Sequence, residues 1–417
     1  MINREKPVIN CKLTHPIIWF MLALYPLIIV PNEYNYSCLP RYIILLTLGL
    51  LAGFCLVRDR YCFPRHRSLI PLIVFLILSL IAAILSSHPA EALLGTPFRF
   101  TGFLTHLVCA VLFILAYLSV RNHADINRFI NIFLGTAAIV AFLGLLQFFG
   151  IQPVPHPPGF DFGLRSDATI GNPNFLGTYI VLAFPFAAVK YLQKPCNKWA
   201  LLVALIYAVG LTNLTRGVWI GLFAAFLVLF FYLRNRRSLF SFIAILITVT
   251  AVLFPLHDGL LYKRVFSLPA EAQSCIEGDD NAGTNRLYIW KITAAQLKNT
   301  LLIGTGPDTL KYALEDYRDR TREVFGREII IDKAHNIYLE QAVTHGLLAL
   351  ICYLTFLFCL LRPERKDALS VAFLSMVVGY MVQGTFNIDV VQVYPLWWIM
   401  LGFYLAHSSS KAAKNSQ

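Results

Sequence analysis

Three side chains stand out for the chemistry their types allow: Arg216, Arg286 and His335. Arg216 sits in Leu214-Thr215-Arg216-Gly217-Val218-Trp219, between two apolar runs with almost no polar connection. A guanidinium there either snorkels to headgroups or meets an anion. A phosphate suits it, because the planar fork donates in two places. Arg286 opens a polar helical stretch, with Trp290 one turn on and Lys291 beside it. One reading is a solvated face with Arg286 stacked over Trp290; the other is a second phosphate contact. His335, in Lys333-Ala334-His335-Asn336-Ile337, lies where a polar segment meets an apolar run. An interfacial imidazole is expected to titrate near neutrality and to serve as base or hydrogen-bond donor.

Weaker signals lie around these three. Gly304-Thr305-Gly306-Pro307-Asp308 reads as a tight turn feeding a helix N-terminus, whose backbone amides hold anions. It is not a Walker loop, since no Gly-Lys-Ser/Thr follows. Gly171-Asn172-Pro173-Asn174 opens an apolar run: Asn172 or Asn174 caps it, and Pro173 prevents backward extension. With Arg165 just upstream, this entrance is either a well-capped helix start or a substrate-facing lip. Asp279-Asp280 are adjacent and point apart in extended chain, so a solvated acidic turn is the expectation. His335 and His345 are ten residues apart, which is no obvious ligand pair, so no metal and no cofactor is assigned.

The elements that must position these residues are apolar helices. Hydrophobic residues make up 57% of the 417-residue chain, charged residues 14%, and mean hydropathy is +0.63. Soluble domains hold about 25% charged residues, so lipid is the expected solvent. Apolar runs without alternation then imply helices, whose backbone bonds are satisfied internally. Twelve runs are read near 16–31, 39–57, 69–86, 101–119, 128–149, 175–192, 199–214, 217–233, 239–255, 336–361, 368–384 and 390–407. The expected fold is an all-α polytopic membrane protein of about twelve transmembrane helices, the first retained rather than cleaved as a signal peptide.

A net charge of +12 invites a nucleic-acid reading. That reading is rejected, because the basic residues sit in short clusters between apolar runs, the positive-inside pattern. With the amino terminus inside, alternate segments carry Arg4, Lys6 and Lys12; Arg58, Arg60, Arg65 and Arg67; Arg121 and Arg128; Lys190, Lys194 and Lys198; Arg234, Arg236 and Arg237; Arg362, Arg365 and Lys366; and Lys411 and Lys414. The short outside segments carry only Arg41, Arg99, Arg165 and Arg216. Both termini are therefore expected in the cytoplasm. Nine cysteines show no CxxC pair or zinc spacing. Cys38 and Cys275 face outward, which alone does not pair them.

The division is then 1–255, nine helices; 256–335, one large extracytoplasmic loop; and 336–417, three helices and a short tail. Within the loop, 285–297 reads as an amphipathic helix capped by Thr284-Asn285. A second helix is expected over 307–322, with Pro307 at its first position.

Taken together, Gly171-Asn172-Pro173-Asn174, Thr215-Arg216-Gly217, Arg286 with Trp290, Gly304-Thr305-Gly306-Pro307, and His335-Asn336 with Gly346-Leu347-Leu348 resemble the O-antigen ligase superfamily of bacterial membrane glycosyltransferases. The resemblance runs from about 160 to 350. It implies a GT-C-like architecture in the cytoplasmic (inner) membrane, with the active site on the extracytoplasmic face. It also implies metal-independent transfer of a glycan from an undecaprenyl-diphosphate carrier to an acceptor hydroxyl, inverting the anomeric carbon. By similarity Arg216 and Arg286 bind the diphosphate and His335 orients or deprotonates the acceptor. Arg165, Asn172, Asn174, Trp290, Gly304, Gly306 and Asn336 fall on the matching motifs as candidate substrate contacts. The family often carries an acid where His345 precedes Gly346, with Glu340 nearby. The acceptor stays open between lipid A core, a growing glycan, a teichoic-type polymer and a protein. A polymerase or protein-glycosylating member is the alternative within the family, a polysaccharide transporter the alternative outside it.

Overall fold

A computed structural model describes residues 13–30, 38–59, 66–154, 162–232, 236–283, 285–361 and 367–409. Among these residues every regular element is helical. Many of the basic clusters, including Arg4, Lys6, Lys12, Arg60, Arg65, Arg234, Arg362, Arg365, Lys366, Lys411 and Lys414, lie outside the described residues, as does Thr284.

In chain order the helices are α1 (Thr14–Ala23), α2 (Cys38–Arg58), α3 (Leu69–Ile84), α4 (Pro89–Leu94), α5 (Phe103–Ser119), α6 (His123–Phe148), α7 (Pro173–Gln193), α8 (Asn197–Thr212), α9 (Arg216–Tyr232) and α10 (Arg236–Leu253). Then come α11 (Leu256–Phe266), α12 (Leu268–Glu277), α13 (Arg286–Thr300), α14 (Leu310–Ala313), α15 (Arg318–Phe325), α16 (Ile337–Thr344), α17 (Leu347–Leu360), α18 (Ala368–Gly384) and α19 (Tyr394–Ser409). Each apolar run contains at least one helix. Three, α2, α6 and α7, are long and apolar enough to cross a membrane, and α10 with the bent arm α11–α12 makes a fourth if counted as one span. Others are shorter: α9, with 17 residues, is about 26 Å long at 1.5 Å per residue, near the ~30 Å of a hydrocarbon core.

The packing is that of a protein with an apolar exterior. α7 and α19 are buried along almost their whole length, with α7 and α9 against α18, and α5 against α19. Outward-facing positions are apolar too: Val57 is 79% exposed, Leu50 76%, Phe240 71% and Phe231 70%. A contiguous surface of such residues is unsuited to water. Pro185 inside α7 is tolerated where neighbouring helices enclose the freed carbonyl.

Two expected helices are corrected. The stretch over 307–322 is not one helix: α14, a 3₁₀ turn at Glu315–Tyr317 and α15 replace it, and Pro307 precedes α14 by three residues. Asp308 there adopts φ +63°, which an α-helix cannot accommodate. The run 336–361 also breaks, at His345-Gly346, between α16 and α17. Gly346 has φ +88°, and a Cβ there would meet Leu302 O at 2.5 Å. The freed carbonyls are taken by the incoming turn: Thr305 N donates to Val343 O at 3.0 Å and Gly306 N to Thr344 O at 2.8 Å, while Leu347 N donates to Leu301 O at 2.8 Å. Cys38, buried, and Cys275, exposed, are not joined by a disulfide.

Candidate active site

Arg216 is the first residue of α9, reached through Leu214 in the left-handed region at φ +53°. The bend is built by polar side chains. Asn213 Oδ1 accepts from Thr215 N at 2.9 Å, and Thr215 Oγ1 donates to Asn174 Oδ1 at 3.1 Å. Arg165 closes the other side, its Nη2 donating to Thr215 Oγ1 and its Nε to Asn213 O, each at 3.1 Å. Arg216 is therefore presented by a braced corner rather than a loose interfacial turn. Its guanidinium does not reach for headgroups: Nη1 lies 2.8 Å from Glu271 Oε1 and Nη2 donates to Ser267 Oγ at 2.7 Å.

Arg286 begins α13, behind Asn285 at φ +67°. Asn285 makes no side-chain cap bond, so the expected cap is absent there. The polar side chains around Arg286 are mostly cations. Its pKa is lowered by burial and then by the charges of Arg216 and Arg264. Arg264, on α11, is lowered by burial and by Arg216. Arg165 is pushed down to about 10 by burial and by Arg264 and Arg286. Four guanidinium groups thus repel one another across one region. Among the described residues Glu271 is the carboxylate that forms an ion pair with this group. Buried Arg216 Nε and Arg264 Nε have no hydrogen-bond partner. Such an excess of buried donors and positive charge favours an anion in this region.

His335 lies just before α16 and adopts φ +51°, a strained conformation for a non-glycine residue. Its neighbours pin it. Trp290 Nε1 donates to Ala334 O at 3.0 Å, and Ala334 N donates to Glu340 Oε2 at 3.1 Å. Asn336 Oδ1 caps α16 by accepting from Tyr338 N and Leu339 N, each at 3.1 Å. Asp332 pairs with Arg99 at 2.7 Å. Lys333 is buried between Asp308 Oδ1 at 2.8 Å and Glu340 Oε1 at 2.5 Å, and donates to Thr101 Oγ1 at 3.0 Å. Burial opposes the lysine's charge, but the two carboxylates outweigh it and raise its pKa.

His335 does not titrate near neutrality, as expected for an interfacial imidazole. Burial and then the nearby Arg286 charge lower its pKa to about 4. Its Nδ1 is buried without a partner. A neutral imidazole with a free nitrogen accepts protons, so the correction leaves the base role available and removes the donor role of an imidazolium at pH 7.

The other candidates divide by placement. Asn172 caps α7, accepting from Asn174 N at 2.9 Å, and Asn174 ties α7 to Thr215. Asn336 and Trp290 hold the histidine segment rather than stacking on Arg286. Gly304 and Gly306 do not offer a helix N-terminus. The Thr305 and Gly306 amides are used on α16 carbonyls, and added Cβ atoms would meet Thr344 O at 2.4 Å and Ser86 Oγ at 2.7 Å. Asp308 of that turn accepts from Thr96 N at 2.7 Å and Thr101 N at 3.1 Å, binding the loop to the region before α5. His345 is buried away from His335, with Nε2 3.3 Å from His106 Nε2 and its ring stacked on Phe75. Asp280 pairs with Lys291 at 2.5 Å, an ordinary surface contact.

Sequence reasoning missed Arg264, Glu271 and the Lys333 cluster. Lys263-Arg264 was visible only as one basic pair in a long loop, where charge carries little topological meaning. Beside the arginines, α8, α9 and α10 frame an apolar cavity of about 560 Å³, lined in part by Tyr207, Trp219, Phe223, Phe226, Ile247 and Phe254. Trp219 stands one turn from Arg216, and Phe223 and Ile247 are 60% and 63% exposed, so the cavity opens outward.

Residues 200–354, which hold Arg216, Arg264, Arg286 and His335, match the family model described as O-antigen ligase. Over that segment, less than half of its length, the chain is similar to the O-antigen ligase family. No curated protein matches it. Arg165, Asn172 and Asn174 fall before the matched segment, yet they brace the corner that presents Arg216.

Proposed function

We propose that the protein is a membrane glycosyltransferase that moves a glycan from a polyprenyl-diphosphate carrier, undecaprenyl diphosphate, to an acceptor hydroxyl in cell-surface polysaccharide synthesis. The observation that carries this reading is the cluster of Arg165, Arg216, Arg264 and Arg286 beside the neutral imidazole of His335. The cations bind the donor diphosphate, and the cavity between α8, α9 and α10 takes the first part of its apolar chain. The acceptor oxygen attacks the anomeric carbon from the face opposite the diphosphate. Its proton passes to an imidazole nitrogen of His335 as the C–O bond to the β-phosphate breaks. The bonding pair stays on the phosphate oxygen, where the arginines stabilise it, the task a divalent cation performs elsewhere. Because back-side displacement has one partner on each face, the product is inverted.

Arg216 and Arg286 are the diphosphate contacts, and Arg264 and Arg165 add to the field. Trp290, Asn336 and Glu340 position His335; Asn172 and Asn174 position Arg216. Twelve spans, cytoplasmic termini and a site on the extracytoplasmic side of the bacterial inner membrane complete the reading. Polymerisation of repeat units or transfer to a protein would use the same donor chemistry. The deciding experiment is deletion in the host with analysis of which surface glycoconjugate is lost or shortened. Loss of glycan from lipid A core identifies a ligase, short chains a polymerase, and unmodified protein an oligosaccharyltransferase. An unchanged surface contradicts the proposal.

A further inference from the structure

Among the described residues Glu271 is the carboxylate in ion-pair contact with the four arginines, while Asp167 acts on Arg165 by charge, and Glu271 comes from a peripheral helix. Glu271 lies on α12, none of whose ten residues is buried, and Ile276 on the same helix is 81% exposed. The arm that carries it leaves α10 through three consecutive positive-φ residues, His257, Asp258 and Gly259, and is bent by 115° from α10. At its tip Glu271 does two things at once. Oε1 is 2.8 Å from Arg216 Nη1, and Oε2 accepts from Gly283 N at 2.9 Å, three residues before Arg286. One carboxylate therefore links the two elements that present the principal arginines, and it occupies the guanidinium edge a phosphate would take.

Resting on the diphosphate-clamp reading, we propose that Glu271 is the resident counter-anion of the empty clamp: it yields Arg216 to the donor and retakes it to expel the lipid diphosphate product. The chemistry creates the need. Cleavage at the anomeric carbon turns a diphosphate diester into a monoester with one more ionisable oxygen. Arginines that stabilise this charge as it develops also hold the finished product more tightly than the donor. A carboxylate on a peripheral helix, competing for Arg216, lowers that product affinity. α12 can shift relative to α11, which buried Leu261 anchors and which carries Arg264, because none of the side chains of α12 is buried. Glu271 acts through Arg216, so it is a positioning residue, and its signature is a split between binding and turnover.

The test uses the full-length protein in nanodiscs, with farnesyl diphosphate as the binding probe and steady-state glycan transfer as the second readout. Glu271→Gln should bind the probe about fivefold more tightly, the upper end for a half-exposed ion pair. KM and kcat should fall together, with a burst of first-turnover product. Glu271→Asp, which keeps the charge on a shorter stem, should lie between. If Glu271→Gln weakens probe binding or raises KM, the carboxylate is a scaffold for Arg216 and the proposal is overturned; unchanged affinity overturns it equally. Should Glu271→Gln fail to fold, an intermediate tightening in Glu271→Asp supports the proposal and wild-type or weaker affinity refutes it. Arg216→Ala separates the two levels. Loss of probe binding there with no effect at Glu271 removes only this inference, whereas full binding in Arg216→Ala removes the clamp itself.

Discussion

At the scale of single residues, charge and exposure set the roles. Arg216 and Arg286 should each be indispensable: Arg216→Ala and Arg286→Ala are expected to abolish glycan transfer while the protein still inserts and accumulates, measured as glycan on acceptor against protein in the membrane fraction. Arg264→Ala removes a neighbouring charge and is expected to lower kcat/KM by about 10- to 100-fold, the usual range for a charge-assisted hydrogen bond. His335 makes a pH prediction. Its pKa in the empty site is about 4, well below the ordinary 6.5. The acid limb of kcat/KM, which reports the free enzyme, should therefore fall near pH 4. Bound diphosphate favours the imidazolium, so the acid limb of kcat should lie at higher pH. Stability runs the same way. The unfolded chain takes up the proton first, so this residue's contribution is present above pH 6.5 and is lost as pH falls through about 4. A kcat/KM limb centred at 6.5 would contradict the burial argument. Arg216, Arg286 and His335 stand out in the sequence by type and position. The pKa of His335 cannot be read from sequence, because it depends on burial in the fold and then on Arg286, which is 49 positions away.

At the scale of elements, the joint between the loop and α16–α17 is the part most dependent on the fold. Lys333 sits buried between Asp308 and Glu340, so removing the lysine leaves two carboxylates with no cation between them. Lys333→Met is expected to cost about 3–5 kcal/mol of stability and to release His335 from its strained position. Thermal unfolding in detergent measures the first effect, and loss of transfer with retained probe binding measures the second. A variant with wild-type stability and activity would show that the joint does not position the histidine. Local rules explain what could be read here and what could not. The α7 entrance was legible, since Asn172 and Pro173 act within their own turn. The break at Gly346 was hidden inside a continuous apolar run, because it is made by the remote 301–306 turn replacing the intrahelical bonds. The expected 307–322 helix failed for the converse reason: Asp308 is drawn out of helical geometry by Thr96 and Thr101, which are about 200 residues earlier.

At the scale of the whole molecule, one face collects the exceptions to the charge pattern. The four arginines expected outside are all spoken for. Arg41 donates to Thr169 O at 2.7 Å, Arg99 pairs with Asp332, Arg165 braces Thr215, and Arg216 meets Glu271. Arg99, Arg165 and Arg216 each help build the region around the site. Composition made the helical membrane character legible, and the order of motifs pointed to the family whose model matches residues 200–354. The meeting of α9, the α11–α12 arm, α13 and the start of α16 was not legible, since no periodicity records which helices pack together. The apolar cavity beside the arginines predicts that donor use depends on chain length. Carriers truncated below the reach of Phe226 should raise KM severalfold while leaving kcat for bound donor unchanged. Bulky substitution at Phe223 or Ile247 should mimic that truncation, and a KM independent of carrier length would place the tail elsewhere.

The central claim is that the arginine cluster and His335 carry out transfer from a lipid diphosphate. It is tested most directly in a deletion host complemented with wild type, Arg216→Ala, Arg286→Ala or His335→Ala, by measuring glycan still attached to the lipid-diphosphate carrier. Wild type should clear the carrier-bound glycan and restore the surface polymer, while each variant, expressed to the same level, should leave glycan on its carrier. Full clearance and a normal surface polymer with Arg216→Ala or Arg286→Ala would contradict the account.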